Sequence, residues 1–148
     1  MKKNIIVFDL DGTLSIVGDR IKYLQQEPKD WDSFFNNCDC DKPNFPVVET
    51  FFALWATYDE YRMKIVTGRS EEVRLVTEKW LNKNNIFVFD SDIHMRKAGD
   101  RRPDTIVKPE LIEEFKDEIF MIFDDRTAMV RKWRELGYTC LQVADGDY

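Results

Sequence analysis

Apolar residues fall along this chain in short unbroken runs, each ending in a polar or acidic residue. Asn4-Ile5-Ile6-Val7-Phe8 is the first and stops at Asp9. A continuous β-branched and aromatic run of this length predicts a strand buried on both faces, as in a parallel sheet. Met63-Lys64-Ile65-Val66 ends at Thr67-Gly68-Arg69, and Ile119-Phe120-Met121-Ile122-Phe123 ends at Asp124-Asp125. Thr139-Cys140-Leu141-Gln142-Val143 closes the series, and Phe87-Val88-Phe89 is a weaker run between them.

Between these runs the apolar positions take helical spacing. Pro46 fits the first turn of a helix over 47–57. Ser70-Glu71-Glu72 caps and charges the start of a helix to about Lys83, with Val73, Val76 and Trp80 on one face. Pro109 is expected to open a helix to about Lys116, and Thr127 to Leu136 forms another, stopped by Gly137. The alternation predicts an α/β fold: an open, mainly parallel sheet flanked by helices. Residues 15–45 break the rhythm. They are polar, with an aromatic piece, Trp31-Asp32-Ser33-Phe34-Phe35, and are expected to form a small insertion folding over the end of the first strand. With 148 residues, the chain is expected to be one domain, 1–148.

Charge narrows the classes. A net charge of −6 argues against a protein that coats nucleic acid or membrane through a global basic field. Locally the balance reverses: Arg96, Lys97, Arg101, Arg102 and Lys108 face only Asp100 and Asp104 within 96–108. Such a run is either a solvated loop or a place for phosphate oxygens, which guanidinium groups bind in pairs. Trp31, Phe34 and Phe35 either stack a base or fill a small flap core. Cys38, Cys40 and Cys140, with the single His94, are too few for a zinc tetrad and read as reduced thiols. The apolar start MKKNIIVFDL is too short for a signal peptide or a span, so a cytoplasmic protein with no membrane association is expected.

Open α/β sheets bind ligands at the carboxyl ends of their strands. That edge would gather Asp9, Asp11, Thr67, Asp124 and Asp125. Carboxylates so close repel one another unless a cation neutralises them. A hard, oxygen-ligated ion such as Mg²⁺ suits a site that also holds a phosphate.

Asp9-Leu10-Asp11-Gly12-Thr13-Leu14 resembles the DxDGT motif of the haloacid dehalogenase-like (HAD) phosphatases. Thr67, Lys108 and Asp124-Asp125 are similar to the second, third and fourth motifs of that family, in order. The resemblance implies a HAD-like, Rossmannoid fold. It makes Asp9 the nucleophile that forms an aspartyl-phosphate, and Asp11 the acid and base at the leaving oxygen and the water. Asp9 should then be ionised and Asp11 protonated, their environments pushing the two pKa values apart. Thr67 and Lys108 would hold the phosphoryl oxygens. Asp9, Asp11 (through its backbone carbonyl), Asp124 and Asp125 would hold Mg²⁺.

The likeness extends further. Thr67-Gly68-Arg69, Gly99-Asp100-x-Arg102-x-Asp104-x-x-Val107-Lys108 and the stretch from Asp124 to Asp147 are similar to the phosphatase domain of phage polynucleotide kinase-phosphatases. This implies a nucleic-acid 3′-phosphate end as substrate, with Gly68, Arg69, Arg96, Arg102 and Arg126 as contacts. No GxxxxGK[ST] loop occurs in the sequence, so the kinase half is missing and a separate kinase or ligase is the implied partner. A phage setting, hence the host cytoplasm, goes with the likeness. Two other readings stand beside this one: a phosphatase of free nucleoside monophosphates, and a non-catalytic module that binds phosphorylated ends.

Overall fold

The computed structural model describes residues 2–57 and 59–148. Five strands form one sheet: β1 (Ile5–Phe8), β4 (Arg62–Ser70), β5 (Ile93–Arg96), β6 (Ile119–Arg126) and β7 (Cys140–Gly146). Their order is β5-β4-β1-β6-β7, and every pairing is parallel. β2 (Ser15–Ile16) and β3 (Lys42–Pro43) make a separate antiparallel pair at the root of the insertion. The helices are α1 (Trp31–Asn36), α2 (Phe45–Trp55), α3 (Arg74–Lys83), α4 (Asp104–Leu111) and α5 (Thr127–Glu135). No helix among the described residues is long and apolar enough to cross a membrane.

The unbroken apolar run of β1 has a direct cause. Ile6 and Phe8 point to one face, where Val48 and Phe51 of α2 and Trp80 and Leu81 of α3 close a core. Ile5 and Val7 point to the other, against Ile112 and Phe115 just past α4, and Met129, Val130 and Trp133 of α5. Residues of both parities are buried, so the strand cannot alternate polar and apolar. Phe8 stacks on Phe123 of β6 at 4.5 Å between ring centroids and meets Phe51 edge-on at 5.2 Å. Full burial of each such side chain contributes about 1.5–3 kcal/mol. β1 lies between β4 and β6, and the chain leaves this central strand at Asp9.

Two expected elements differ. Phe87-Val88-Phe89 is not a strand: Phe87 and Phe89 are exposed, and the edge strand is Ile93–Arg96, which buries Ile93 and Met95. Pro109 does not open its helix but sits inside α4, which begins at Asp104. The Pro103 carbonyl accepts from the Ile106 and Val107 amides at 2.9 and 3.1 Å and starts the helix earlier. Proline lacks the amide that would continue the ladder, and α4 ends two residues later. The insertion folds on Val17, Leu24 and Phe34, with Ile21, Tyr23, Trp31, Phe35 and Tyr148 packed against them.

Candidate active site

Asp9 follows β1 and is nearly buried, its amide donating to the Phe123 carbonyl at 2.9 Å. Lys108, one turn into α4, points inward; its Nζ lies 2.8 Å from Asp9 Oδ1 and 3.1 Å from Asp124 Oδ2. Asp9, Asp124 and Asp125 each offer a carboxylate oxygen, all within 4.8 Å of one another. Trp133 Nε1 also donates to Asp124 Oδ2 at 3.2 Å, and the Arg126 amide donates to Oδ1 at 3.1 Å. Tyr148 Oη donates to Asp125 Oδ2 at 2.8 Å, and Thr13 Oγ1 to Asp125 Oδ1 at 3.3 Å. Three buried carboxylates against one lysine leave an excess of negative charge, and this oxygen donor set fits a small hard cation.

Gly12 makes the turn possible. Its φ is +83°, and a Cβ there would lie 2.2 Å from Asp125 Oδ2. Any side chain would push the turn off the acidic cluster.

Asp11 faces elsewhere. Its carboxylate accepts from Arg69 Nε at 3.0–3.1 Å, Arg69 Nη2 at 2.6 Å and Arg20 Nη2. Arg20 is buried as well, donating to Asp41 through Nε at 2.7 Å and to the Phe34 carbonyl at 2.9 Å. The Asp11 backbone carbonyl, the atom implied as a metal ligand, accepts from Tyr148 Oη at 3.3 Å.

The two carboxyls at the head of the motif are set apart electrostatically, in the sense opposite to expectation. Burial pushes Asp9 well up; Lys108 opposes this, while Asp124 and Asp125 add to it. Burial would also raise Asp11, but Arg69 and Arg20 outweigh it and hold the group below the usual carboxylate range. Burial likewise raises Asp125, against the Tyr148 hydroxyl, which lowers it. Lys108 is raised despite burial, by Asp124 and Asp9, and stays charged.

The residues anticipated at the mouth divide. Thr67 is buried at the end of β4, its Oγ1 accepting from the Arg69 amide at 3.2 Å. Gly68 leaves room for Asp104, whose Oδ1 would be 2.5 Å from a Cβ at that position. Its carbonyl accepts from Arg96 Nε at 2.9 Å. Arg69 does not open onto the mouth: it is fully buried on Asp11 and Thr77. Arg96 and Arg126 share Asp104, one on each carboxylate oxygen, and Arg102 pairs with Asp100 and Glu110 in solvent. Lys97 and Arg101 complete the basic run but make no buried ion pair. The sequence gives no role to Arg20, Asp41, Asp104 or Tyr148, because local spacing gives no sign of partners 8 to 137 residues away.

Asp9, Asp11, Thr67, Gly68 and Lys108 line a pocket of about 30 Å³, with Asp104, Arg126, Tyr148, Trp31, Phe34 and Phe35 around its rim. The model of the polynucleotide kinase PNKP phosphatase domain matches residues 3–148. The chain belongs to that family. It is a phosphoric monoester hydrolase of the HAD type.

Two solved relatives of this PNKP-type phosphatase agree. A chain of a Pnkp1/Rnl/Hen1 complex is 33% identical with a TM-score of 0.80, over 99% of this chain and 48% of its own. A chain of the Pnkp1/Rnl/Hen1 RNA repair complex is 32% identical with a TM-score of 0.82, over 99% and 44%. The chain thus spans about half the length of these relatives. A haloacid dehalogenase-like hydrolase from Streptococcus pneumoniae, 15% identical over 94% of this chain and 83% of its own, has a TM-score of 0.60 and shares the fold. The HAD-like α/β architecture expected from the motifs is therefore the one present.

Proposed function

We propose that this phosphatase removes 3′-phosphates from polynucleotide ends in a Mg²⁺-dependent reaction that passes the phosphoryl group through Asp9. The observation that carries the reading is the buried Asp9 at the floor of the pocket, 2.8 Å from Lys108 and within the acidic cluster. The family name and the relatives from an RNA repair complex support nucleic-acid ends as substrate.

A carboxylate oxygen of Asp9 attacks phosphorus, forming the Asp9–phosphoryl bond as the ester P–O bond breaks. Asp11 gives a proton to the departing 3′-oxygen, then takes one from the water that attacks the phosphoryl group and frees Asp9. Arg20 and Arg69 hold Asp11 ionised in the protein's own field; a phosphate entering as the monoanion adds negative charge beside it and brings the proton that Asp11 takes up and passes to the departing oxygen. Lys108 and Thr67 hold phosphoryl oxygens as negative charge spreads over them. Asp9, Asp124 and Asp125, with the Asp11 carbonyl, would hold Mg²⁺, which would supply the positive charge that favours ionised Asp9 and offsets charge developing on the phosphoryl group. The product carries a free 3′-hydroxyl, the form that end joining requires, so a kinase or ligase acting on the same ends is the expected companion. A phage protein working in host cytoplasm is the setting this implies.

Phosphate release from an oligomer carrying a 3′-phosphate, against the same oligomer phosphorylated at the 5′ end, tests the reading with Mg²⁺ and with EDTA. Metal-dependent release from the 3′ end alone is expected. Release from mononucleotides but from neither oligomer would keep the Asp9 chemistry and overturn the polynucleotide assignment.

A further inference from the structure

The 30 Å³ pocket admits a group no larger than a phosphoryl, since a single water already needs roughly 10–15 Å³. It opens into a groove of about 340 Å³, and the two share Trp31, Phe35, Asp104 and Arg126. The rest of any substrate must lie along that groove. Its volume is near the low end of about 300–1,000 Å³ for small-molecule pockets. That is room for a nucleotide.

Resting on the reading above, we propose that this groove binds the nucleotide preceding the phosphorylated end of a single strand. Lys29 and Arg101 take the internucleotide phosphate and select a polymer over a mononucleotide.

One wall is the insertion. Trp31 and Phe35 lie near-parallel, 5.9 Å apart at 24°, half-buried and braced from beneath by Phe34. Arg126 lies over the Trp31 ring at 5.6 Å, so a base would stack beside or in place of that guanidinium, and an aromatic wall takes any base because every base has a π-face. The other wall is the loop Gly99–Pro103.

The cations divide by their partners. Arg96, Arg126 and Arg102 are offset together by three carboxylates: Asp104 between Arg96 and Arg126, Asp100 between Arg96 and Arg102, and Glu110 on Arg102. Arg101 reaches across the groove to Asp32 at 3.5 Å with its side chain 75% exposed. Lys29 packs over the Trp31 ring at 5.9 Å. An exposed pair such as Arg101–Asp32 holds weakly, so an incoming phosphodiester can take the guanidinium from it. The two available cations thus come from opposite walls, beside the aromatic face.

The test compares kcat/KM on p-nitrophenyl phosphate, a nucleoside 3′-monophosphate and short 3′-phosphorylated DNA and RNA single strands. Wild type, Lys29→Ala/Arg101→Ala and Asp32→Asn are assayed at two or more salt concentrations. Wild type should prefer the oligomers to the mononucleotide. The double variant should lose about tenfold or more on oligomers and hold p-nitrophenyl phosphate within about twofold, with a salt slope shallower by about 0.7 for the one phosphate the two cations share. Asp32→Asn should raise oligomer kcat/KM by freeing Arg101. Equal wild-type efficiency on mononucleotide and oligomer, or equal loss on all substrates in the double variant, would overturn the subsite and leave the 3′-phosphatase reading intact. Wild-type turnover of p-nitrophenyl phosphate with none on either oligomer would overturn both.

Discussion

Arg20 is the strongest single test of how the site is built. Its side chain is 3% exposed and serves two carboxylates, Asp11 and Asp41, as well as the Phe34 carbonyl. Arg20→Ala leaves Asp41, itself 3% exposed, with the Ser15 hydroxyl at 3.0 Å and a long ion pair to Arg69 at 3.9 Å in place of two close guanidinium contacts. Removing one partner of a buried pair costs about 3–5 kcal/mol, because the other charge stays behind. Against a total of about 5–15 kcal/mol for a domain, that is a large fraction. Burial already pushes Asp41 up, so protonation relieves the stranded carboxyl and the cost should be larger at pH 8 than at pH 6. Arg20→Ala/Asp41→Asn removes the stranded charge and should cost less than the sum of the single changes, by about 1 kcal/mol or more. Urea unfolding of the four proteins at both pH values gives the cycle. A cost below about 1 kcal/mol for Arg20→Ala, or additivity within about 0.5 kcal/mol, would refute the argument.

Asp9→Asn should reduce phosphate release by about a thousandfold or more, since an amide cannot attack phosphorus; a thermal midpoint equal to or above wild type would separate lost chemistry from lost folding. Gly12→Ala meets Asp125 and adds about 1–2 kcal/mol of left-handed backbone strain, so both turnover and the urea midpoint should fall; a fully active, equally stable variant would contradict the close approach. His94 is depressed by burial and by Lys64, with Asp92 and Glu114 opposing and Arg74 adding, and its Nε2 is buried without a hydrogen-bond partner. Its folded pKa lies below the unfolded value near 6.5, so its contribution is full above 6.5 and lost as pH falls through the folded pKa. The difference in urea midpoint between wild type and His94→Gln should shrink from pH 7.5 to 5.5.

Much of the fold and chemistry was legible because it lies where strands end. Asp9, Thr67 and Asp124 each terminate an apolar run, and one run buried on both faces is enough to place its last residue at the sheet's carboxyl edge. Phe87-Val88-Phe89 misled because apolar character alone does not bring a segment into a ladder. The true edge strand, Ile-His-Met-Arg, alternates and so carries half the signal. Lys108 could be placed in order but not in depth, because that depends on α4 beginning at Asp104 rather than at Pro109.

The arginines show why charge was harder to read than hydrophobicity. Burial of an apolar side chain depends mainly on its own chemistry, whereas the effect of a cation depends on which carboxylates the fold brings beside it. Arg69 follows a strand and so looked like a mouth residue, yet Asp11 and Thr77 draw it into the interior. Arg126 lines the pocket and Arg96 the groove beside it, but Asp104 sits between them and offsets part of their field. The net +3 of residues 96–108 is a count along the chain. The charge a substrate meets is set by the cations that no close ion pair holds, and at the groove those are Arg101 from the basic run, only 3.5 Å from an exposed Asp32, and Lys29 from the insertion, which the count left out.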